Sequence, residues 1–415
     1  MIYKSLSFGL SACIASFVLM SSVPLQAADL QVSAVGKAFL PDTGQTVHYD
    51  VNGNVAAESD SSLYTGQDAS KQGHALNYRD NGDGTVTDLN TGLMWQKEHD
   101  FERRSLKQAT EHVEHMTLAG FSDWRMPTIK ELYSLADFDG QLIKPEDEGD
   151  RKPYIDTDFF EYQYDQKLAF AGQFWSSTVY VKNAVQNFSQ HGGIQGGFGF
   201  NFSDGHIKSY ETGLFYDGTE ITAQDNQFVP GCFVRAVRQT TSLYDMEYVD
   251  NADDTVTDRS TGLMWAKNDS QKKMDWVEAL AFAEQATLAG YSDWRLPNAK
   301  ELQSLVDYEK TSFPAINTDF FNTTLSSFQS VKDAYYFWSS TTQGDFKWTA
   351  VYVAFAQAWS KKNSSATEYF DWHGAGAQRS DPKSGSPSDF ELASDMASDY
   401  ISISNWVRLV RDAKL

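Results

Sequence analysis

The sequence predicts an α+β fold that occurs twice in tandem, each copy with two helices packed on an antiparallel β-sheet. Three observations predict it. Blocks of sequence recur in the same order, helix-capping signals stand at equivalent places in the two halves, and strand-like runs fill the rest of each half.

The internal repeat sets the domain organisation. Residues 78–88 read YRDNGDGTVTD and residues 248–258 read YVDNADDTVTD, at an offset of 170 residues. The blocks TGLMW and LAGFSDWRMP recur at the same offset, and IDTDFF, FWSS and FVRAVR recur in the same order with shifted spacing. Each copy is too long for a solenoid unit. We therefore predict two domains, copy 1 at 78–239 and copy 2 at 248–412.

Each copy opens with a predicted hairpin and continues with two capped helices. The motif Asn-Gly-Asp-Gly before Thr-Val-Thr indicates a tight turn that leads into a strand. Gly120 and Gly290 are expected to end the first helix of each copy. Strands are expected at FWSS, at 198–202, at 350–355 and at the closing Val-Arg-x-Val-Arg. The expected capping boxes pair Ser105 with Gln108, Thr128 with Glu131, Asp275 with Glu278, and Asn298 with Glu301.

The N-terminus predicts export. An apolar run of about 15 residues, 6–20, precedes small residues around Ala27, which is the layout of a cleaved signal peptide over 1–27. A membrane anchor is the alternative, but the run is short of the ~20 residues that a bilayer requires. Cys13 closes a sequence that resembles a lipoprotein box, so lipidation is a second alternative. Cleavage leaves a lead-in segment, 28–77, no transmembrane segment, and a periplasmic, outer-surface or secreted protein.

Composition and charge limit the partners. The chain carries 34 basic and 56 acidic residues, a formal charge of -22, and 41% hydrophobic residues. Such a chain folds, and it repels nucleic acid, anionic lipid and sulfated polysaccharide. Neutral ligands or cations therefore fit better. After cleavage Cys232 is the single cysteine, which excludes an internal disulfide.

The hairpin turns are candidate calcium sites. Oxygen-bearing side chains at alternating positions resemble the start of a calcium loop, because hard cations need many oxygens from a sharply turned chain. Copy 2 has Ala252 and Asp254 in place of the turn glycines, and neither copy has a closing glutamate. An ordinary hairpin turn is the alternative. The candidate ligands are Asp80, Asn81, Asp83 and Asp88 in copy 1, and Asp250, Asn251, Asp253 and Asp258 in copy 2.

Two further regions are candidate ligand sites. In the Ser-Asp-Trp-Arg block, an indole face and charged groups fit a sugar platform, with a core tryptophan and an Asp123–Arg125 pair as the alternative. The copies also differ in a glycine-aromatic stretch, 191–206, and in a polar insertion, 361–405, where variable loops are expected to hold specificity unless they are merely solvated. The candidate residues are Trp124, Arg125, Trp294, Arg295, His373, Arg379 and Asp381.

The ordered blocks DNGDGTVTD, TGLMW, GFSDWRMPTIKEL, FWSS and FVRAVR resemble the Lcl C-terminal domain family, and LPDTGQ at 40–45 resembles the lead-in of such proteins. The resemblance implies a C-type-lectin-like fold in exported or surface proteins, and a relation to a collagen-like adhesin to which polysaccharide binding is ascribed. This sequence has no Gly-X-Y repeat, and it lacks the Glu-Pro-Asn, Gln-Pro-Asp and Trp-Asn-Asp motifs of calcium-dependent lectins.

These observations lead us to expect a non-catalytic binding or adhesion protein that recognises a carbohydrate or a surface partner. A structural component of an envelope or surface assembly is the alternative. An oxidase of the formylglycine-generating type is disfavoured, because those enzymes act through a cysteine pair and the mature chain keeps one cysteine.

Overall fold

The structure, a computed structural model, describes residues 38–56, 65–142, 151–164, 171–185, 193–215, 218–219, 231–363, 365–390 and 398–413. Residues 37–415 form one compact unit. The predicted signal peptide and the lipidation alternative at Cys13 lie outside the described residues. No helix in the described part is long and apolar enough to cross a membrane.

Copy 1 contains seven strands and two helices among its described residues, and the strands carry most of its regular structure. In chain order these are β1 (Tyr78–Asp80), β2 (Thr85–Asp88), β3 (Met94–Gln96), α1 (Leu106–Glu114), α2 (Ile129–Ser134), β4 (Gln173–Val185), β5 (Ile194–Asn201), β6 (His206–Phe215) and β7 (Val237–Arg238).

Copy 2 repeats this order and adds three short strands in its second half. Its elements are β8 (Tyr248–Asp250), β9 (Thr255–Asp258), β10 (Leu263–Ala266), α3 (Trp276–Glu284), α4 (Ala299–Ser304), β11 (Tyr336–Thr342), β12 (Thr349–Ala354), β13 (Trp359–Lys361), β14 (Tyr369–Asp371), β15 (Gln378–Pro382), β16 (Ser398–Asp399) and β17 (Val410–Asp412).

The helices form where the capping signals predict them. All four capping boxes are present, each with reciprocal side-chain and backbone hydrogen bonds. The helices are shorter than predicted, because α1 ends at Glu114 and α3 at Glu284, before Gly120 and Gly290. The antiparallel sheets and the few helices together form an α+β arrangement, which confirms the predicted class.

Each copy has a small four-stranded antiparallel sheet of its own. The strand orders are β1-β2-β3-β7 and β8-β9-β10-β17, and the first hairpins share one register, with Tyr78 opposite Asp88 and Tyr248 opposite Asp258. The repeated sequence blocks thus fold in the same way twice.

The largest sheet belongs to both copies. Its strand order is β11-β12-β15-β6-β5-β4, with three strands from each copy, and the outermost strands are the two that carry FWSS. The halves join where Gln378 of β15 pairs antiparallel with Ile207 of β6. The three strands of copy 1 follow the three strands of copy 2 in reverse order, as in a two-fold symmetric dimer. The two copies thus form an intramolecular pseudo-dimer.

The hydrophobic core is partly shared and partly separate. One cluster contains buried residues of both copies, among them Trp95 and Leu132 from copy 1 and Trp265 and Leu302 from copy 2. Two smaller clusters lie beneath α1 and α3 and belong to one copy each. The helices α1 and α3 therefore pack on cores that belong to one copy each, whereas α2 and α4 pack in the core that both copies share.

Two buried lysines join α2 and α4 reciprocally. Lys130 of α2 donates to the carbonyl of Ser304 at 2.7 Å, and Lys300 of α4 donates to the carbonyl of Ser134 at 2.9 Å. Each ammonium thus binds a C-terminal carbonyl of the opposite helix, where the helix dipole favours a cation. Burial lowers the pKa of both lysines to about 8.

The two regions that differ most between the copies, 191–206 and 361–405, contribute strands and buried residues to the large sheet. Phe198 and Phe200 are fully buried because β5 is an inner strand of the large sheet, and Phe202, just beyond the end of β5, is fully buried too. The insertion supplies β15, one of the two central strands of that sheet. The expectation of variable surface loops is wrong for these parts; residues 191–192, 364 and 391–397 of the two regions lie outside the described residues.

The hairpin turns provide a stability prediction. Gly82 and Ala252 occupy the same turn position with φ of 73° and 60°, a left-handed conformation that costs an L side chain about 1–2 kcal/mol. Nothing lies within 4 Å of a Cβ built at Gly82, so only the backbone matters. We expect Ala252→Gly to raise the free energy of unfolding by about 0.5–1 kcal/mol and Gly82→Ala to lower it similarly, as measured by urea denaturation. Loss of stability in Ala252→Gly would contradict this explanation.

Candidate functional site

The proposed calcium ligands of copy 1 are occupied by their own turn. Asp80 accepts the Gly82 N–H at 2.9 Å with one oxygen and contacts Lys97 Nζ at 2.6 Å with the other. Asp83 accepts both the N–H and the hydroxyl of Thr85. Asn81 forms hydrogen bonds with the hydroxyls of Thr85 and Thr87 in β2. Asp88 is buried and accepts a hydrogen bond from the Thr91 hydroxyl at 2.7 Å.

Copy 2 repeats these contacts, with Lys267 bonded to the first aspartate at 2.5 Å. Among the described residues, no group of three or more His, Cys, Asp or Glu side chains is arranged to hold a metal ion. The geometry supports the hairpin alternative for all eight positions. The copy 2 residues are Asp250, Asn251, Asp253 and Asp258.

The tryptophans of the Ser-Asp-Trp-Arg block are core residues. Trp124 is 4% exposed and Trp294 is 2% exposed. Their indole N–H groups donate to the carbonyls of Leu118 and Leu288, at 3.3 and 3.1 Å. A sugar platform needs an exposed ring face, which neither indole offers, so the core alternative applies to both.

The arginines of this block have different partners from those expected. Arg125 forms a two-pronged ion pair with Glu131 at 2.8 and 2.6 Å, instead of pairing with Asp123. Asp123 pairs with Arg238 at 2.9 Å. The same exchange occurs in copy 2, where Arg295 binds Glu301 at 2.5 and 2.7 Å. These arginines fix the start of α2 and α4, because each partner glutamate also closes a capping box.

The insertion residues form a buried polar cluster. Asp399 accepts from His373 Nε2 at 2.8 Å and from Arg379 Nε at 2.8 Å, and it also binds the Ser360 hydroxyl at 2.6 Å. Burial acts to raise the pKa of Asp399, but Arg379 and His373 outweigh it and hold that pKa well below its usual range. Burial raises the pKa of neighbouring Asp381, which accepts a backbone N–H of the same segment.

This cluster is not arranged as a catalytic triad. A triad needs the serine and the carboxylate on opposite ring nitrogens, whereas His373 Nε2 faces both Ser360 and Asp399. His373 is also 7% exposed, and its Nδ1 has no hydrogen-bond partner among the described atoms. The cluster joins β13, β15 and β16, so the proposal of a variable recognition loop at His373, Arg379 and Asp381 is wrong.

A cleft of about 760 Å³ lies between the lead-in segment and copy 2. One wall comes from residues 39–42 and 70–74, and the other from residues 261–263, Arg295 and the N-terminal region of α4. We call it the lead-in cleft. Its volume falls in the range of small-molecule sites, about 300–1,000 Å³. Of the sequence-predicted ligand residues, Arg295 lines it.

The floor of the lead-in cleft is polar and rigid. Asp42, Asn298 and Glu301 line it and are each less than a tenth exposed. Asp42 accepts the backbone N–H of Gly73 at 2.8 Å, which joins the two segments of the lead-in wall. Lys300 donates to the Asp42 carbonyl at 2.7 Å and thereby holds that wall against α4. Both oxygens of Asp42 and both of Glu301 already accept hydrogen bonds from the protein, so the floor offers a ligand the remaining lone pairs of these carboxylates on a fixed framework.

A buried carboxyl lies behind this floor. Asp68 accepts the hydroxyls of Thr43 at 2.7 Å and Thr341 at 2.5 Å. Burial and the nearby charges of Asp42 and Glu301 raise the pKa of Asp68 to about 7, although the two hydroxyls act in the opposite direction. The carboxyl thus fixes the lead-in segment to β11 with its proton retained at mildly acidic pH.

The rim carries an aromatic ring and exposed polar groups. Phe39 is 40% exposed and its ring lies 4.2 Å from that of His74. Lys71 and Gln72 are exposed beside it, and Asp412 on the opposite rim contacts Arg295 at 3.2 Å. Hydrogen-bonding groups beneath an aromatic edge can hold a polyhydroxylated ring, whose hydroxyls and C–H face need both kinds of contact.

Sequence reasoning missed most of this site. Phe39, Asp42 and His74 lie in the lead-in segment, where LPDTGQ at 40–45 carries only a family resemblance. The motif has a structural reason, because the Gln45 amide exchanges two hydrogen bonds with the Thr342 backbone, each at 2.9 Å. The signal in the sequence is the pair of polar residues, Asp42 and Gln45, on either side of Thr-Gly in a segment outside both repeats.

Comparison with known proteins gives one family. The model of the Lcl C-terminal domain matches residues 84–217 and 254–373, one match in each copy. No curated protein and no solved structure shows a significant match to the chain.

Proposed function

The chain belongs to the Lcl C-terminal domain family, with two tandem copies, and we propose that it is a non-catalytic binding protein whose lead-in cleft holds a carbohydrate. Export and a C-type-lectin-like fold are part of this proposal, and the family resemblance supports them. The observation that carries it is the lead-in cleft itself, with its buried polar floor and its exposed Phe39 at the rim.

The charges of the cleft favour one class of carbohydrate. Asp42, Glu301 and Asp412 contribute three carboxyl groups, and the guanidinium of Arg295 is already bound by two of them. Lys71 is the remaining cation of the lining. With a net charge of -22 on the whole chain, sulfated and uronate sugars are repelled. An uncharged or amine-bearing sugar fits.

Filling the cleft tests the proposal. The variant Gly73→Leu, His74→Tyr places bulk in the wall, and a Cβ at Gly73 meets only ordinary contacts with Asp42 at 3.6 Å. We expect neutral or amine-bearing glycans to bind the wild-type protein on a glycan array, and calorimetric titration of the best of them to show about tenfold or more loss of affinity in the filled variant.

The control is an exposed ring outside the cleft. Phe39→Ala removes the rim contact and is expected to weaken binding by about fivefold, whereas Phe121→Ala, a similarly exposed phenylalanine of copy 1, leaves affinity unchanged. Binding that is confined to sulfated glycans, or that survives filling of the cleft, would refute the proposal.

A further inference from the structure

The segments that precede the two copies are equivalent in sequence position and in docking. Asn77 and Glu247, at the offset of 170 residues, each accept a backbone hydrogen bond from the first hairpin of the following copy, from Leu89 and Arg259, both at 2.9 Å. The offset of 170 residues therefore also relates the segments that precede the two repeats. It places Gly73 opposite Leu243, and His74 opposite Tyr244.

The residues at these equivalent positions differ greatly in bulk. Gly73 has no side chain, and His74 is exposed at the rim of the lead-in cleft. Leu243 is 1% exposed. Tyr244 is half-buried, its hydroxyl is hydrogen-bonded to Ser134, and the charge of Glu131 acts on it. Glu131 of copy 1 corresponds to Glu301, which lies in the floor of the lead-in cleft beside copy 2. Tyr244 therefore lies beside copy 1 at the place that corresponds to the lead-in cleft.

The walls that come from the repeated blocks are alike, whereas residues 39–42 correspond by the offset to residues within β6, and Asp412 corresponds to Gln239. Arg125 binds Glu131 as Arg295 binds Glu301, with two hydrogen bonds in each case. The capping residue of the following helix is Thr128 in copy 1 and Asn298 in copy 2, and both side chains bond the helix N-terminus. The difference in access therefore comes from the preceding segments rather than from the repeated blocks.

We infer that the duplicated fold has two equivalent clefts of which one is open, so that each chain binds one carbohydrate although it carries two copies. The inference rests on the proposed function for the nature of its ligand. Leu243 and Tyr244 close the copy 1 cleft, whereas Gly73 and His74 leave the copy 2 cleft accessible. The segments that precede the two copies thus set the valency of the protein, and the repeat supplies stability instead of a second binding site.

Stoichiometry tests this directly. With chitotriose, an uncharged oligosaccharide, as the probe, calorimetric titration of the full chain is expected to give one site. The filled variant, Gly73→Leu with His74→Tyr, gives none. The reverse exchange, Leu243→Gly with Tyr244→His, gives two. Two sites on the wild-type chain, or one site retained in the filled variant, would overturn the inference.

A second measurement keeps the inference separate from the proposed function. If chitotriose binds none of the three proteins, the proposal fails for this sugar, and crystals soaked in glycerol decide the inference. We expect the polyol between Asp42 and Glu301 in the wild-type protein and no polyol beside Tyr244. Glycerol at both positions, or at neither, would overturn the closed-cleft assignment even when the variants with altered residues fail to fold.

Discussion

Replacement of Arg235 by methionine is expected to lower the free energy of unfolding by about 3 kcal/mol or more. The guanidinium is fully buried between the rings of Phe160 and Phe174, and it donates to three backbone carbonyls. Those carbonyls belong to Gln96, Lys97 and Glu161, at 2.8, 2.5 and 2.7 Å. Methionine fills the space but removes the guanidinium donor from all three carbonyls, of which that of Lys97 still accepts the Glu161 N–H at 3.1 Å.

The same motif contains the control for this experiment. Arg238 lies three residues further along FVRAVR and pairs with Asp123, whose side chain is 61% exposed. Surface ion pairs of this kind contribute about 1 kcal/mol or less, so Arg238→Met is expected to change stability little. Urea denaturation of both variants gives the comparison. Equal losses of stability in the two variants would contradict the claim that buried Arg235 joins these three segments.

The second large effect is the pH dependence of Asp68→Asn. The folded-state pKa of about 7 lies above the ordinary value of 3.8, so between roughly pH 4 and pH 7 the folded chain retains a proton that the unfolded chain releases. Stability from this group is therefore present at low pH and falls as pH rises through that window. A shift of about three pKa units corresponds to a loss on the order of 4 kcal/mol by pH 8.

Asparagine resembles the protonated carboxyl and cannot ionise. Its amide oxygen can still accept the hydroxyls of Thr43 and Thr341. We expect the variant and the wild-type protein to be similarly stable at pH 4 and the variant to be more stable by several kcal/mol at pH 8. The measurement is denaturant unfolding of both proteins across this range.

The difference between the two proteins isolates Asp68 from other groups with the same trend. Burial also raises the pKa of Asp345 to about 8 and that of Asp371 to about 6, so the wild-type protein loses stability over this window for more than one reason. Parallel pH profiles for variant and wild type would show that Asp68 ionises freely, and that the lead-in segment is not fixed as described.

Sequence reasoning succeeded where the signal was local. Capping boxes involve residues three apart, and the hairpin turns are specified by Asn and Asp side chains that bond their own backbone, so both could be predicted without knowledge of the tertiary fold. The same holds for the buried tryptophans, whose size favours the core wherever a strand or turn places them inward.

The shared core could not be predicted in this way. The apolar positions Leu132 and Leu302 indicate which face of α2 and α4 is buried, but periodicity carries no information about the partner. Each helix would satisfy the same pattern by packing within its own copy. The reciprocal contacts of Lys130 and Lys300 are also invisible in sequence, because a lysine on a short helix normally indicates a solvated position.

The candidate site was missed for a related reason. The residues first considered for ligand binding, Trp124 and Arg125 among them, stand in the blocks that both copies share, and those blocks build the fold. The lead-in cleft depends on positions where the copies differ, such as Gly73 against Leu243 and Asp412 against Gln239. These differences lie in short segments beside the repeats, and only the structure places them against α4.

Scanning calorimetry of the full chain tests the central claim, that the two copies and the lead-in segment form one body. A shared sheet and a shared core predict a single unfolding transition whose calorimetric and van't Hoff enthalpies agree. Two separable transitions, each with the enthalpy expected for about half of the chain, would contradict the pseudo-dimer and remove the framework that forms the cleft.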